Sequence, residues 1–140
     1  MATRVQVVLD CHDPQALAAF WADALRYERE DHTTVIEGLT TAGRLRPEEV
    51  VEVEGGKAFR DLAACRDAAG VGPRLLLQRV PEDKAGKNRM HIDLHVGEDA
   101  AAAEVERLTG LGARVLWTIA DRGPLTTTMA DPEGNEFCVS

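Results

Sequence analysis

Strict alternation of apolar and polar side chains over residues 87–96 is the strongest local pattern in this chain. It predicts a strand with two different faces. The apolar face carries Met90, Ile92, Leu94 and Val96, and the other face carries His91, Asp93 and His95. Three titratable groups in a row are unusual for a strand that faces solvent. The second face therefore either lies in water or lines a polar cavity.

Spacing and capping signals predict further elements on both sides of this strand. Residues 5–11 alternate as a strand, and Asp13 followed by Pro14 is typical of a helix start, here for a helix that ends near Tyr27 and packs Phe20 and Trp21 into the core. Helices are also predicted over 33–42 and 100–111, and strands over 74–80, 113–119, 125–130 and 136–140. Residues 57–65 fit either a strand or a short helix.

A shift of 85 residues overlays two parts of the chain. Residues 5–10 fall on residues 90–95, and Asp13 falls on Glu98, each before an Ala-rich helix. Each copy follows the order β-α-β-β-β. We therefore predict an α+β fold with one domain over residues 1–140, built from module one (1–82, with an insertion at 31–72) and module two (88–140). Pairing of the two sheets would close a curved mixed-sheet cup. Gln6 and His91 are equivalent in the repeat and should face that cup, whose mouth the insertion should cover.

Composition and charge exclude several classes of partner. The net charge of −8 and the pI near 5.0 argue against nucleic acid and against anionic membranes. No apolar run approaches the roughly 20 residues that span a bilayer, and the first residues enter a strand pattern directly, so no secretion signal is expected. Three widely spaced cysteines indicate reduced thiols and a cytoplasmic location. A small-molecule ligand is the expected partner, together with a second copy of the chain in a homodimer.

Three stretches resemble the glyoxalase-like branch of the vicinal-oxygen-chelate superfamily. They are the strand–CHDP–helix segment with AFWADAL, the segment PRLLLQRVPEDKAGKNRMHIDLHV, and the closing MADPEGNEFCV. The resemblance covers residues 3–30 and 73–140. That superfamily includes glyoxalase I, extradiol dioxygenases, fosfomycin-resistance enzymes and bleomycin-binding proteins. In its metal-using members, the resemblance implies ligands at the positions of Gln6, Gln78, His91 and Cys138.

Two of these four positions depart from the usual donor set. Gln78 stands where a carboxylate is usual, and Cys138 stands where a glutamate is usual. Two neutral amides and one histidine make a poor site for a divalent ion, so we assign no metal and no other cofactor. If zinc, nickel, cobalt or manganese is bound, the expected ligands are Gln6, His91, Glu136 and Cys138.

These observations predict a small-molecule binding protein or enzyme that uses the polar cup without a full metal site. The alternative is a metal-dependent lyase, isomerase or dioxygenase, and the sequence leaves open whether the protein is an enzyme. His91 and Asp93 are the candidate acid–base pair, for which a structural ion pair is the alternative. The predicted ligand-binding residues are Gln6, Gln78, His91, Trp117, Glu136 and Cys138, although core packing is the preferred role for Trp117. A further alternative is that the sheets serve dimerisation alone. Lys84, Lys87 and Arg89 are assigned to a solvated connector.

Overall fold

The computed structural model describes residues 1–140 and divides them into two compact units, Met1–Glu82 and Asp83–Ser140. The first unit contains β1 (Gln6–Cys11), α1 (Pro14–Leu25), β2 (Glu28–Arg29), α2 (Thr33–Thr41), a 3₁₀ turn (Pro47–Glu49), β3 (Val50–Val53), β4 (Gly56–Phe59), β5 (Leu62–Arg66) and β6 (Arg74–Arg79). The second contains β7 (Asp93–Leu94), α3 (Glu98–Leu111), β8 (Arg114–Ile119), β9 (Thr126–Ala130) and β10 (Glu136–Val139). None of the helices has the length and apolar character needed to cross a membrane.

The two units share one topology. The first unit's main sheet has the order β1-β6-β5-β2, and the second unit's sheet has the order β7-β10-β9-β8. In each sheet the first strand pairs in parallel with the last one, β1 with β6 and β7 with β10, and the remaining pairs are antiparallel. This confirms the predicted α+β fold of two βαβββ modules, with the extra residues in the first.

The first helix begins where the sequence indicates. The Asp13 side chain accepts a hydrogen bond from the Ala16 amide at 3.1 Å, and Pro14 takes the first helical position. Helix α1 packs against β5 and β6. Trp21 and Leu77 are almost completely buried at 1% and 0% exposure, so the aromatic side of α1 forms core as predicted.

The residues added to the first module are fewer than expected. Helix α2 covers most of the predicted 33–42 helix, and β3 and β4 form a separate two-stranded hairpin. The open choice over 57–65 is decided in favour of strands. Strand β5 lies inside the predicted insertion at 31–72, yet it is an interior strand of the main sheet between β6 and β2. The part of this segment that lies outside the main sheet is therefore the chain between β2 and β5.

The predicted strand over 87–96 is much shorter in the structure. Only Asp93–Leu94 form a regular strand, extended by the hydrogen bonds from the Cys138 amide to the Ile92 carbonyl and from the Val96 amide to Ser140. Met90 does not join an apolar face, because it is 88% exposed. The linker that precedes this strand is hydrogen-bonded through Asn88 to Glu136 and Asn135, as described below, and does not continue the sheet.

Candidate functional site

One face of the second unit's sheet carries most of the predicted site residues. Cross-strand partners share a face, and the register pairs Asp93 with Cys138, Cys138 with Thr128, and Thr128 with Trp117. We call this row, with the neighbouring His91 and Glu136, the polar face. The opposite face carries Met129, Phe137 and Val139, all completely buried together with Leu108 of α3. That helix therefore covers the apolar face, and the polar face is the other side.

A β-bulge places Trp117 on the polar face. Val115 pairs with Met129, but the next pair is Trp117 with Thr128, so one extra residue lies on β8. Without the bulge, simple alternation from Arg114 would turn Trp117 toward the helix. Trp117 is 42% exposed. The preferred assignment of this residue to the core is therefore wrong, because the bulge reverses its side.

Three side chains on the polar face converge on a small volume. One ligand atom each from His91, Asp93 and Cys138 lie within 4.8 Å of one another. His91 Nε2 lies 4.0 Å from Asp93 Oδ1, which is an ion-pair distance for a protonated ring but too long for a hydrogen bond. Cys138 is 9% exposed, and its Sγ lies 3.5 Å from the Thr128 hydroxyl. The cluster combines imidazole, carboxylate and thiol, the three donor types found at zinc sites.

The Glu136 carboxylate is hydrogen-bonded to the linker that precedes β7. It accepts hydrogen bonds from the Asn88 amide at 3.0 Å and from Lys84 Nζ at 3.1 Å. Burial by itself would raise the pKa of Glu136, but the Asn88 amide and the Lys84 ammonium outweigh it and lower that pKa. Lys84 is therefore not the solvated connector residue that the sequence indicates, since its head group is held by a half-buried ion pair.

The closing turn, residues 131–135, is held by its own hydrogen bonds and also contacts the linker. Asp131 is 2% exposed, and its carboxylate accepts hydrogen bonds from the backbone amides of Glu133 and Asn135 at 2.9 Å. The Asn135 side-chain amide also donates to Asp131, while its oxygen accepts from the Asn88 side chain at 3.3 Å. The turn predicted from DPEGN is confirmed, and it connects the linker to the sheet.

His95 lies at the far end of the same strand. Its Nδ1 lies 3.0 Å from the Ser140 hydroxyl, and the side chain stays at the exposed end of the sheet.

In the first unit, Gln6 is held by an arginine. The register pairs Gln6 with Arg74, and Arg74 Nη1 donates to the Gln6 amide oxygen at 2.7 Å. Arg74 also donates twice to Glu30 at 2.7 Å, and His32 lies 3.1 Å from the same carboxylate. The hydrogen bonds from Arg74 lower the pKa of Glu30 to about 2. A guanidinium cation thus occupies the oxygen that would bind a metal.

Gln78 lies away from this group. It pairs with Asp10 on β1, four residues along from the pair of Gln6 with Arg74. At about 3.3 Å per residue, the two glutamines are about 13 Å apart along the strands. Within the first unit, Gln6 and Gln78 therefore do not converge on one ion. The four-residue set that the resemblance implies does not fit a divalent metal, whereas the three-residue cluster of the second unit has suitable donors.

Three contributors to these sites were missed from the sequence. Thr128 lies in a Thr-rich predicted strand. Alternation along that strand could have identified it as a candidate, but only after Cys138 had been selected as a site residue. Arg74 and Lys84 gave no local signal, because their roles depend on partners 44 to 68 residues away.

Comparisons with known proteins agree with this fold. Residues 6–140 match the model of a family described as Glyoxalase-like domain. No curated protein matches the chain. A glyoxalase/bleomycin resistance/dioxygenase family enzyme from Burkholderia phytofirmans has a similar structure, with 12% identity, a TM-score of 0.63, and coverage of 96% of this chain and 94% of that one.

Two further solved structures are similar over nearly the whole chain. A mutant of the fosfomycin resistance protein FosX from Listeria monocytogenes, complexed with Mn(II) and 1S,2S-dihydroxypropylphosphonic acid, has 12% identity and a TM-score of 0.62, and the match covers 99% of this chain and 89% of that one. A glyoxalase-related enzyme from Fulvimarina pelagi has 18% identity and a TM-score of 0.60, with 99% and 87% covered. At these identities the likeness concerns the fold.

Proposed function

The chain belongs to the glyoxalase-like domain family of the vicinal-oxygen-chelate superfamily, and from this premise we propose that it binds a small organic molecule on the polar face of its second module, without the usual metal quartet. One observation carries the proposal. A single register row brings an indole ring, a hydroxyl, a thiol and a carboxylate onto the face that α3 does not cover. Apolar area with a few convergent polar groups is typical of small-molecule sites.

Trp117 supplies the apolar contact for such a ligand. A ring 42% exposed on a folded sheet offers a flat surface on which an aromatic or apolar ligand could stack. A screen of small aromatic compounds, read by two-dimensional NMR and by indole fluorescence, tests this. We expect at least one compound to perturb the signals of Trp117, His91 and Thr128 together, and Trp117→Ala to abolish that binding.

The matched control is Val115→Ala. Val115 lies on the same strand and is 48% exposed, but the register places it on the other face, opposite Met129. Loss of binding in Trp117→Ala with full binding in Val115→Ala supports the polar face as the site. Equal effects of the two substitutions, or compounds that perturb other surfaces alone, would refute it.

His91 is the residue we assign to acid–base chemistry, if the bound molecule is a substrate. The imidazole side chain is 39% exposed on the polar face, so a ligand can reach it, and histidine is the side chain most suited to proton transfer near neutral pH. Asp93 stands close enough to orient the ring after a small rotation. Once a substrate that the protein converts has been identified, His91→Gln should lower kcat, and Asp93→Asn should shift the pH profile of kcat.

A second candidate function is metal-dependent chemistry, and the convergence of His91, Asp93 and Cys138 favours it. The ligand atoms of a tetrahedral zinc site lie about 3.3–3.8 Å apart, because each bond is about 2.0–2.3 Å long. The ligand atoms of His91, Asp93 and Cys138 lie within 4.8 Å of one another, so side-chain rotations that bring them about 1 Å closer would meet that geometry. Three protein ligands would leave a fourth position for water or substrate, as in catalytic zinc sites. Glu136 and Gln6 are not part of this set, because each already has a cationic partner.

Cobalt(II) titration tests this second candidate without any substrate. A thiolate ligand gives cobalt an intense near-ultraviolet charge-transfer band, which should appear in the wild type and vanish in Cys138→Ser. Cys65→Ser is the matched control, because burial and then the nearby Glu30 raise the pKa of the Cys65 thiol to about 11 and keep it protonated. A band that survives Cys138→Ser, or no binding at micromolar cobalt, would remove the metal candidate.

We also propose that the protein is a homodimer in a reducing compartment such as the cytoplasm. Strand β8 is an edge strand of its sheet, with one side of its backbone left unpaired, and such edges are often covered by a partner. Three buried cysteines, none of which forms a disulfide, suit a reducing environment. Light scattering of the purified protein decides the oligomeric state, and a monomer at high micromolar concentration would contradict the dimer.

A further inference from the structure

Lys84 is held in a defined position at the edge of the polar face. Its ammonium donates to Glu136 Oε1 at 3.1 Å and to the Gly86 carbonyl. Its methylene stem passes beside Gly134 of the closing turn, where an added Cβ would lie 3.6 Å from Lys84 Cδ. A lysine normally loses much rotamer freedom when it binds a ligand. This one is already ordered at both its stem and its head.

The ammonium has one donor left. Lysine offers three N–H donors, and the protein uses two of them, one for Glu136 and one for Gly86. The side chain is 23% exposed, so the third donor can reach solvent. Glu136 itself is 10% exposed and is also bonded to the Asn88 amide, so its carboxylate is occupied. The group that this corner offers to a ligand is therefore an N–H donor.

Position along the sheet places Glu136, the partner of this donor, in line with the other site residues. Glu136 stands two residues before Cys138 on β10, as His91 stands two residues before Asp93. Side chains two apart on a strand share a face. A ligand stacked on Trp117 and reaching toward His91 would thus extend in the direction of the Lys84 ammonium.

We propose that Lys84 is a specificity-determining residue, which selects ligands that carry an anionic oxygen, such as a carboxylate or a phosphonate, at one end. The inference rests on the proposed binding function and adds the class of ligand to it. The preordered ammonium accepts the anionic oxygen with its third N–H, and hydrogen bonds to charged groups are stronger than neutral ones. At the other end of the ligand, the negative charge of the Asp93 carboxylate disfavours a second anionic group.

Benzoate and benzamide form the test pair, because they have the same ring and differ in the charge of one end. Both are titrated by NMR into wild type, Lys84→Met and Lys87→Met. Lys87 is the matched control, since it lies in the same linker, is exposed and has no bonded partner. We expect benzoate to bind wild type more tightly than benzamide and to lose about tenfold in Lys84→Met, with Lys87→Met unchanged.

Removal of Lys84 leaves the Glu136 carboxylate with fewer partners, so a second variant protects the result. Lys84→Met combined with Glu136→Gln removes both charges, and its melting temperature shows whether it folds. The same tenfold loss of benzoate binding in the double variant supports the proposal.

Two results would overturn it. Benzoate that binds no more tightly than benzamide, including the case in which neither binds, contradicts anion selection. An unchanged benzoate affinity in both lysine variants contradicts the role of Lys84. If benzamide still binds and is lost in Trp117→Ala, the binding function stands and only the role of Lys84 fails.

Discussion

Glu30→Gln probes the charge network that holds Gln6 in the first unit. The Glu30 carboxylate accepts two hydrogen bonds from Arg74 at 2.7 Å and lies 3.1 Å from His32 Nε2. Arg74 lowers the pKa of Glu30 from 4.5 to about 2, even though burial opposes this. The substitution keeps the shape of the side chain and removes its charge.

The size of the effect follows from that pKa. A fall from 4.5 to about 2 corresponds to a ceiling of about 3 kcal/mol, at about 1.36 kcal/mol per pKa unit. Glu30 is 19% exposed and Arg74 is 35% exposed, so solvent screening reduces that ceiling. We expect Glu30→Gln to lower the free energy of unfolding at pH 7 by about 1–2 kcal/mol.

The pH dependence has a definite sign. The carboxyl pKa is lower in the folded state, so its contribution is present above pH 4.5 and is lost as the pH falls toward 2. Urea unfolding of wild type and Glu30→Gln at pH 7, 5 and 3 measures this. The difference between the two proteins should be largest at pH 7, slightly smaller at pH 5 and clearly smaller at pH 3.

Glu28→Gln is the matched control for this prediction. Glu28 lies 3.7 Å from Arg66, and the two side chains are 61% and 57% exposed, so this pair should contribute no more than about 0.5 kcal/mol. Equal losses in Glu28→Gln and Glu30→Gln would refute the reasoning. So would a difference between wild type and Glu30→Gln that stays constant from pH 7 to pH 3.

Three further predictions concern the turn, a close contact and a thiol. Asp131→Ala removes a 2%-exposed acceptor of backbone and side-chain hydrogen bonds, and should lower the free energy of unfolding in urea by about 3 kcal/mol. Gly72→Ala places a Cβ 2.0 Å from Tyr27 Oη, so Tyr27 must move, and the melting temperature should fall by the equivalent of about 1–3 kcal/mol. Cys65, buried and with its thiol pKa raised to about 11, should resist alkylation at pH 8 until the protein unfolds.

Simple controls accompany these three. Gly123→Ala adds a Cβ with nothing within 4 Å and should leave the melting temperature unchanged; a similar fall in both glycine variants would contradict the contact with Tyr27. Asp121→Ala, an exposed aspartate, should cost little beside Asp131→Ala. Rapid labelling of native protein at Cys65, identified by peptide mass, would contradict its burial.

Local signals predicted much of the fold because they act over a few residues. The Asp13 cap, the alternation of β1 and the DPEGN turn each depend on neighbours within about five positions, and all three are confirmed. The 85-residue repeat also predicted that both units share one topology. The repeat did not locate β5, because that strand has no distinct local pattern. Its residues were assigned to the insertion, although β5 lies between β6 and β2.

The candidate site was harder to predict, because long-range pairing creates it. Arg74 reaches Gln6 and Glu30 across 68 and 44 residues, and Lys84 reaches Glu136 across 52. Both arginine and lysine are common on surfaces, so composition alone could not single them out. Lys84, which was expected in solvent, and Gln6, which was expected at a metal, therefore both belong to charge networks.

The sequence by itself determined which residues could form strands and helices, and that His91 and Asp93 would share a face. Only the tertiary structure decided that Trp117 joins them. Alternation along β8 turns this ring toward the helix, and a single bulge between Val115 and Trp117 reverses it. A bulge depends on how β8 pairs with β9, residue against residue, and that register is a property of two strands that no local pattern in one of them contains.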